Sequence, residues 1–210
     1  MGWYQEQAIP RIVHVACAAK AARPLRSRVC AGLSGAVIEV GFGSGLNLPF
    51  YPPEVSQIDA VEPSDVGWNM AATQRAQTSI AVLRSGKDAQ SLPYPDNGFD
   101  AGLSTWTLCT IPDAAAALRE LHRVLRPGAP LNFVEHGLAE DNRVRSLQRR
   151  IDPVHARVVG CHVTRPIVQL LTSAGFVITE LEVFYQKGAP KFAGACALGV
   201  ALAAAPRAED

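Results

Sequence analysis

From Val37 onward, short apolar runs alternate with helical patterns. The runs Val37–Val40, Gln57–Val61, Ile80–Leu83, Phe99–Ser104 and Pro130–Val134 have the length and apolar character of buried strands. Between them, apolar residues recur at helical spacing over Ser64–Gln77, Asp113–Leu125 and about Asp141–Ala174, the last expected to be interrupted near Pro153 and Pro166. Such alternation predicts a parallel sheet with helices on both faces. The tail differs. Phe176–Tyr185 and Lys191–Leu202 flank the loop QKGAP and read as two strands joined by a short hairpin connection, so the sheet is expected to end in an antiparallel pair.

Ahead of this pattern, Ile9, Ile12, Val13, Ala16 and Cys17 place apolar residues at helical spacing within Trp3–Ala22, and Pro24 punctuates before a second segment ending at Leu33. The expected organisation is a helical arm over residues 1–33 and one α/β domain over residues 34–206. Arg11, Lys20, Arg23, Arg26 and Arg28 face only Glu6 in the arm. Two readings stay open: a basic amphipathic surface for peripheral contact with an anionic membrane, or a cap on the domain with a solvated basic face.

Composition narrows the partners. A formal charge of +1 on 210 residues lacks the broad basic footprint of a nucleic-acid binder, which favours small-molecule partners. The five cysteines are scattered without a C-x-x-C pair, so neither a disulfide framework nor a zinc knuckle is expected, and a reducing cytoplasm is the expected compartment. Pro10, Arg11, His14 and Lys20 interrupt the first apolar residues, so no secretory signal is read there. Glu6 stands where a myristoylation pattern needs Ser or Thr. The uncharged stretch Phe192–Pro206 is short of a membrane span and reads as core. Nothing in the sequence speaks to oligomeric state.

The chemistry concentrates where the first strand breaks. Gly41, Gly43 and Gly45 follow it at alternate positions, where side chains would obstruct a sharp turn and a ligand lying against the main chain. A dinucleotide fingerprint would need glycine at position 46, which is Leu46. Glu62 ends the next strand, 21 residues after Gly41, where a carboxylate can accept both hydroxyls of an adenosine ribose.

In order along the chain, EVGFGSGLN (Glu39–Asn47), Asp88-Ala89 after the third strand, LPYPDNGFD (Leu92–Asp100) and STWTLCTIPD (Ser104–Asp113) resemble the class I S-adenosylmethionine-dependent methyltransferases. The resemblance covers essentially residues 35–187 and lies nearest the subgroup that includes small-molecule thiol and lipid methyltransferases. It implies a doubly wound, Rossmann-like sheet of seven strands with an antiparallel last strand, and S-adenosylmethionine as cofactor. By the same resemblance, Glu39, Gly41, Gly43 and Gly45 would hold the methionine half, with the acid near its amino group. Glu62 would hold the ribose, Pro63 and Ser64 would flank the adenine, and Asp88 and Ala89 would bond its edge. Ser104, Thr105 and Trp106 would face the sulfonium. One departure is RPGAP, with Ala129 in place of a second glycine, which alters a turn remote from the cofactor.

Methyl transfer is a direct displacement, so the protein mainly positions and desolvates the reactants. Trp106 reads either as an apolar wall beside the sulfonium or as ordinary packing. Expected bases are Glu135 and His136, at the carboxyl end of the fifth strand, and His162 in GCHVTRPI, a segment that resembles the subgroup's acceptor region together with Cys161 and Arg165. The histidines equally suit satisfying backbone groups under a loop. A metal set of Glu135, His136, Cys161 and His162 is not expected, because adjacent pairs lack ligand spacing. The reading is methylation of a small, apolar acceptor such as a thiol, phenol, quinone or lipid. The alternatives are a non-catalytic cofactor-binding partner and, further off, a nucleotide-dependent oxidoreductase.

Overall fold

The computed structural model describes residues 7–205, so the first residues of the expected arm helix and Pro206 lie outside the described part. Seven strands form one sheet in the order β3-β2-β1-β4-β5-β7-β6. They are β1 (Gly35–Val40), β2 (Val55–Val61), β3 (Ala81–Gly86), β4 (Ala101–Thr105), β5 (Pro130–His136), β6 (Phe176–Tyr185) and β7 (Ala195–Ala203). The first five run parallel, and β7 inserts antiparallel between β5 and β6. This is the doubly wound architecture that the sequence pattern predicts.

The layers follow from strand alternation. Ile38, Val40, Leu131 and Phe133 pack on one face against Leu118, Leu121 and Leu171, from α5 (Ala114–Val124) and α7 (Ile167–Ser173). Val37, Ile58, Leu103 and Val134 pack on the other against Val29, Cys30, Leu33 and Leu48. β1 lies between β2 and β4, whose connections leave toward opposite faces, so a crevice opens at the carboxyl ends of β1 and β4.

Several boundaries differ from expectation. The arm is two helices, α1 (Ile9–Cys17) and α2 (Arg23–Cys30), joined by a 3₁₀ turn at Lys20–Ala22. Asn132 Nδ2 fastens α2 to the sheet by donating to the carbonyls of Val29 (2.8 Å) and Ala31 (3.1 Å), where a helix end lacks internal partners. The expected helix Ser64–Gln77 breaks at Ala71 into α3 (Asp65–Met70) and α4 (Ala72–Gln77), with Ser64 as N-cap. α6 (Asn142–Val159) runs through Pro153 without interruption and ends instead at Gly160, in the left-handed region. Pro153 and Arg149 are exposed, so the carbonyl that the proline leaves without a helical donor belongs to the solvent-facing side of α6. Before β7, residues Lys191–Gly194 form a short helix, α8, rather than strand.

Gln148 of α6 is wholly buried and holds three backbone groups: its oxygen accepts from Ala139 N (2.9 Å), and its amide donates to the Gly137 and Phe192 carbonyls (3.0 Å each). Gln148→Leu therefore orphans all three and is expected to cost about 3 kcal/mol, read as a lower urea midpoint at unchanged slope.

Candidate active site

The three turn glycines all have positive φ (70°, 57° and 72°), but each is required for a different reason. A Cβ on Gly41 would lie 2.7 Å from Thr107 Cβ, and one on Gly45 would crowd Ala71 and Leu48 at 3.1 Å. Among the described residues beyond its chain neighbours, a Cβ on Gly43 would meet only the Gly41 carbonyl, at 3.8 Å. The space above Gly43 is open cavity. Its amide donates to Glu62 Oε2 (2.6 Å), and Ser64 N donates to Glu62 Oε1 (2.7 Å), which fixes the carboxylate and leaves each oxygen a free lone-pair direction. Burial raises the Glu62 pKa, against the pull of Ser64, Gly43 and Arg84.

This turn floors a cavity of about 560 Å³. Of the residues read from the sequence, Gly41, Gly43, Glu62, Pro63, Ser64, Asp88, Ala89, Thr105 and Trp106 line it. Asp88 is exposed, and hydrogen bonds from the side chain and backbone amide of Gln90 hold its pKa below the usual aspartate range. The roof is α1, whose Ile9, Val13, His14 and Cys17 face inward, with His14 Nδ1 2.6 Å from Ser44 Oγ.

Other expected residues fall elsewhere. Glu39 is fully buried behind the cavity wall: Oε1 accepts from Asn47 Nδ2 (2.7 Å) and Oε2 from the Tyr51 hydroxyl (2.7 Å). It acts on the cavity through Asn47, which lines it and also bonds Thr105 Oγ1 (3.0 Å) and Arg26 (2.7 Å). Gly45 sits outside the lining. Ser104 is buried beneath it, donating to Glu135 Oε1 (2.7 Å).

The three expected bases also fall outside the lining. Glu135 is fully buried and spends its other bonds on the amides of Thr107 and Leu108 (3.0 Å each); burial pushes its pKa up to about 7. His162 pairs through Nδ1 with Asp152 (2.8 Å), and His136 Nδ1 lies against the thiols of Cys109 and Cys161. These are partners a sequence pattern does not show.

Trp106 lines the cavity and packs against Arg26 at the same time. A φ of 50° holds it in a backbone region that bulky residues avoid, a strain of about 1–3 kcal/mol of the kind that collects at functional sites. One face of the indole carries the Arg26 guanidinium, 4.9 Å from the ring centre. Arg26 is buried and also donates to the Cys17 carbonyl (3.1 Å), so one side chain joins α2, the end of α1 and the cavity wall. No local pattern marks it.

Burial pushes the Glu39 pKa up to about 7, outweighing the hydrogen bonds from Tyr51 and Asn47 and the charge of Arg26. A carboxyl group whose folded pKa exceeds its unfolded value binds more protons when folded, so stability falls as pH rises from about 4.5 through about 7. Glu39→Gln is expected to flatten that part of the urea-stability profile relative to wild type, by at most about 3 kcal/mol.

The site fits S-adenosylmethionine by its donor set: an open glycine cradle, an oriented carboxylate for a diol, and an acidic residue beside Ala89 for the base. A family model described as "Methyltransferase domain" matches residues 38–133. The human thiol S-methyltransferase TMT1A is 31% identical over 161 residues, 72% of this chain and 65% of that protein. The chain thus spans slightly less than two thirds of that relative's length. A phosphatidylethanolamine N-methyltransferase from Cereibacter sphaeroides is 29% identical, covering 56% of this chain and 58% of its own. Among solved structures, the cyclase SpnF is 30% identical with a TM-score of 0.63, over 77% of this chain and 59% of its own.

Proposed function

We propose, for a chain that belongs to the class I S-adenosylmethionine-dependent methyltransferases, transfer of a methyl group to a small apolar acceptor, with a thiol as the first choice. The observation that carries this reading is a single cavity that joins the Gly43–Glu62 end to an apolar end built by Ile9, Val13, Trp106, Ile111 and Val159. Bound S-adenosylmethionine supplies an electrophilic methyl group on a sulfonium.

The chain's own residues then orient and dry the reactants. Glu62 and the Gly43 cradle hold one half of the cofactor, Asn47 and Arg26 stiffen the wall beside it, and α1 closes the roof against water. Of the chain's histidines, His14 is the one that lines the cavity among the described residues. With Nδ1 engaged by Ser44, its Nε2 is left to take the acceptor's proton. The thiol choice draws on the names of the TMT1-type relatives and on the apolar lining.

The test incubates the protein with S-adenosylmethionine labelled on the methyl group and a panel of apolar thiols, phenols, quinones and lipid amines. Label in the thiol product supports the reading, and label in another class moves the acceptor. Binding without any transfer favours the second reading, a non-catalytic cofactor-binding protein, for which the position of the three expected bases outside the cavity speaks.

The outer face of the arm supports peripheral membrane contact, and the scattered cysteines without a C-x-x-C pair are what support a reducing cytoplasm. Ile12 and Val15 of α1 are 49% and 72% exposed beside Arg11, with Val154 of α6 65% exposed. No helix among the described residues is long and apolar enough to cross a membrane. Flotation with anionic, but not zwitterionic, vesicles is the expected result, and Val15→Asp should abolish it.

A further inference from the structure

We infer that Cys109, His136 and Cys161 form a binding site for one thiophilic divalent ion of the zinc type, beside the cofactor cavity rather than in it. Three distant segments converge there: the turn after β4, the last residue of β5, and the loop after α6. The two thiols and the imidazole lie within 4.8 Å of one another. Cys109 Sγ is 3.8 Å and Cys161 Sγ 3.6 Å from the same atom, His136 Nδ1. For a tetrahedral zinc, with metal–sulfur and metal–nitrogen distances of about 2.3 and 2.05 Å, sulfur and nitrogen ligands stand about 3.6 Å apart. The observed spacing needs little adjustment to admit the ion. Two sulfurs and one imidazole are also the donor set that selects zinc over oxygen-seeking cations.

The two cysteine-bearing segments are held by residues outside the cavity lining. Glu135 accepts from the amides of Thr107 and Leu108 (3.0 Å each), immediately ahead of Cys109, and its chain neighbour is His136. Asp152 fastens the loop that carries Cys161 by accepting from Val163 N (2.7 Å) and pairing with His162 (2.8 Å). His155 Nδ1 contacts the Cys161 carbonyl (2.7 Å), and His162 N donates to the Cys109 carbonyl (2.8 Å). A preorganised shell of this kind is what metal sites need. It also gives Glu135, Asp152, His155 and His162 a positioning role. Three protein ligands leave the fourth position to water or an exogenous thiolate.

The test uses the full chain, stripped of metal and reduced, titrated with Co²⁺ without oxygen. The expected result is a thiolate-to-cobalt charge-transfer band with tetrahedral visible bands, saturating at a single equivalent and displaced by Zn²⁺. Cys109→Ser and Cys161→Ser should each remove roughly half of the charge-transfer intensity, and His136→Asn should weaken affinity at least about tenfold. Cys30→Ala, a buried thiol elsewhere, should leave the spectrum unchanged. X-ray absorption of the wild-type zinc form, which needs no variant, should show two sulfur ligands and one nitrogen from the protein. No charge-transfer band in wild type, a band retained in both cysteine variants, or a Cys109–Cys161 disulfide that withstands reductant would overturn the assignment. None of these readouts depends on methyl transfer.

Discussion

Gly43→Leu is expected to weaken S-adenosylmethionine binding by more than about 100-fold while the domain stays folded. The side chain would enter open cavity, since among the described residues, its chain neighbours aside, the Gly41 carbonyl alone lies within 4 Å of the new Cβ. The folding cost is the left-handed backbone alone, about 1–2 kcal/mol. Gly41→Ala is the internal contrast: its methyl collides with Thr107, so stability falls along with binding. Calorimetry of both variants beside urea unfolding separates the two jobs. Unchanged affinity in a folded Gly43→Leu protein would place the cofactor elsewhere.

Glu62→Ala is the second large effect, roughly 100-fold in cofactor affinity with about 1–3 kcal/mol of stability, because it leaves the Gly43 and Ser64 amides without their acceptor and the ribose without its own. Glu62→Gln keeps the volume and loses at least about tenfold. The loss should be the same for adenosine as for the whole cofactor, since the carboxylate acts on the adenosine half. Equal adenosine affinity in wild type and both variants would remove the ribose role.

The parts of the fold legible in the sequence are those fixed by burial. β1, β2, β4 and β5 announce themselves as apolar runs because both faces are covered. β3, at the sheet edge, alternates between exposed and half-buried residues, and its limits shift from Ile80–Leu83 to Ala81–Gly86. Pro153 reads as a helix break because sequence cannot show that its turn faces solvent.

The site divides in the same way. The glycine turn, Glu62 and Asp88 are legible because backbone geometry and strand ends place them locally. Glu39 and Glu135 are strand-end or strand-buried acids as well, but Asn47 and Tyr51 engage one, while Ser104 and two amides engage the other. Asn47 carried a local signal, standing two residues past the turn. Arg26, His14 and Cys109 carried none, since Arg26 reaches Asn47 across 21 residues, His14 reaches Ser44 across 30 and Cys109 reaches His136 across 27.

The measurement that tests the central claim most directly is calorimetric titration of the purified protein with S-adenosylmethionine, S-adenosylhomocysteine and NADH side by side. The account predicts saturable binding of the first two at a single site and none of NADH. NADH binding in their place, or heat from none of the three, would contradict it.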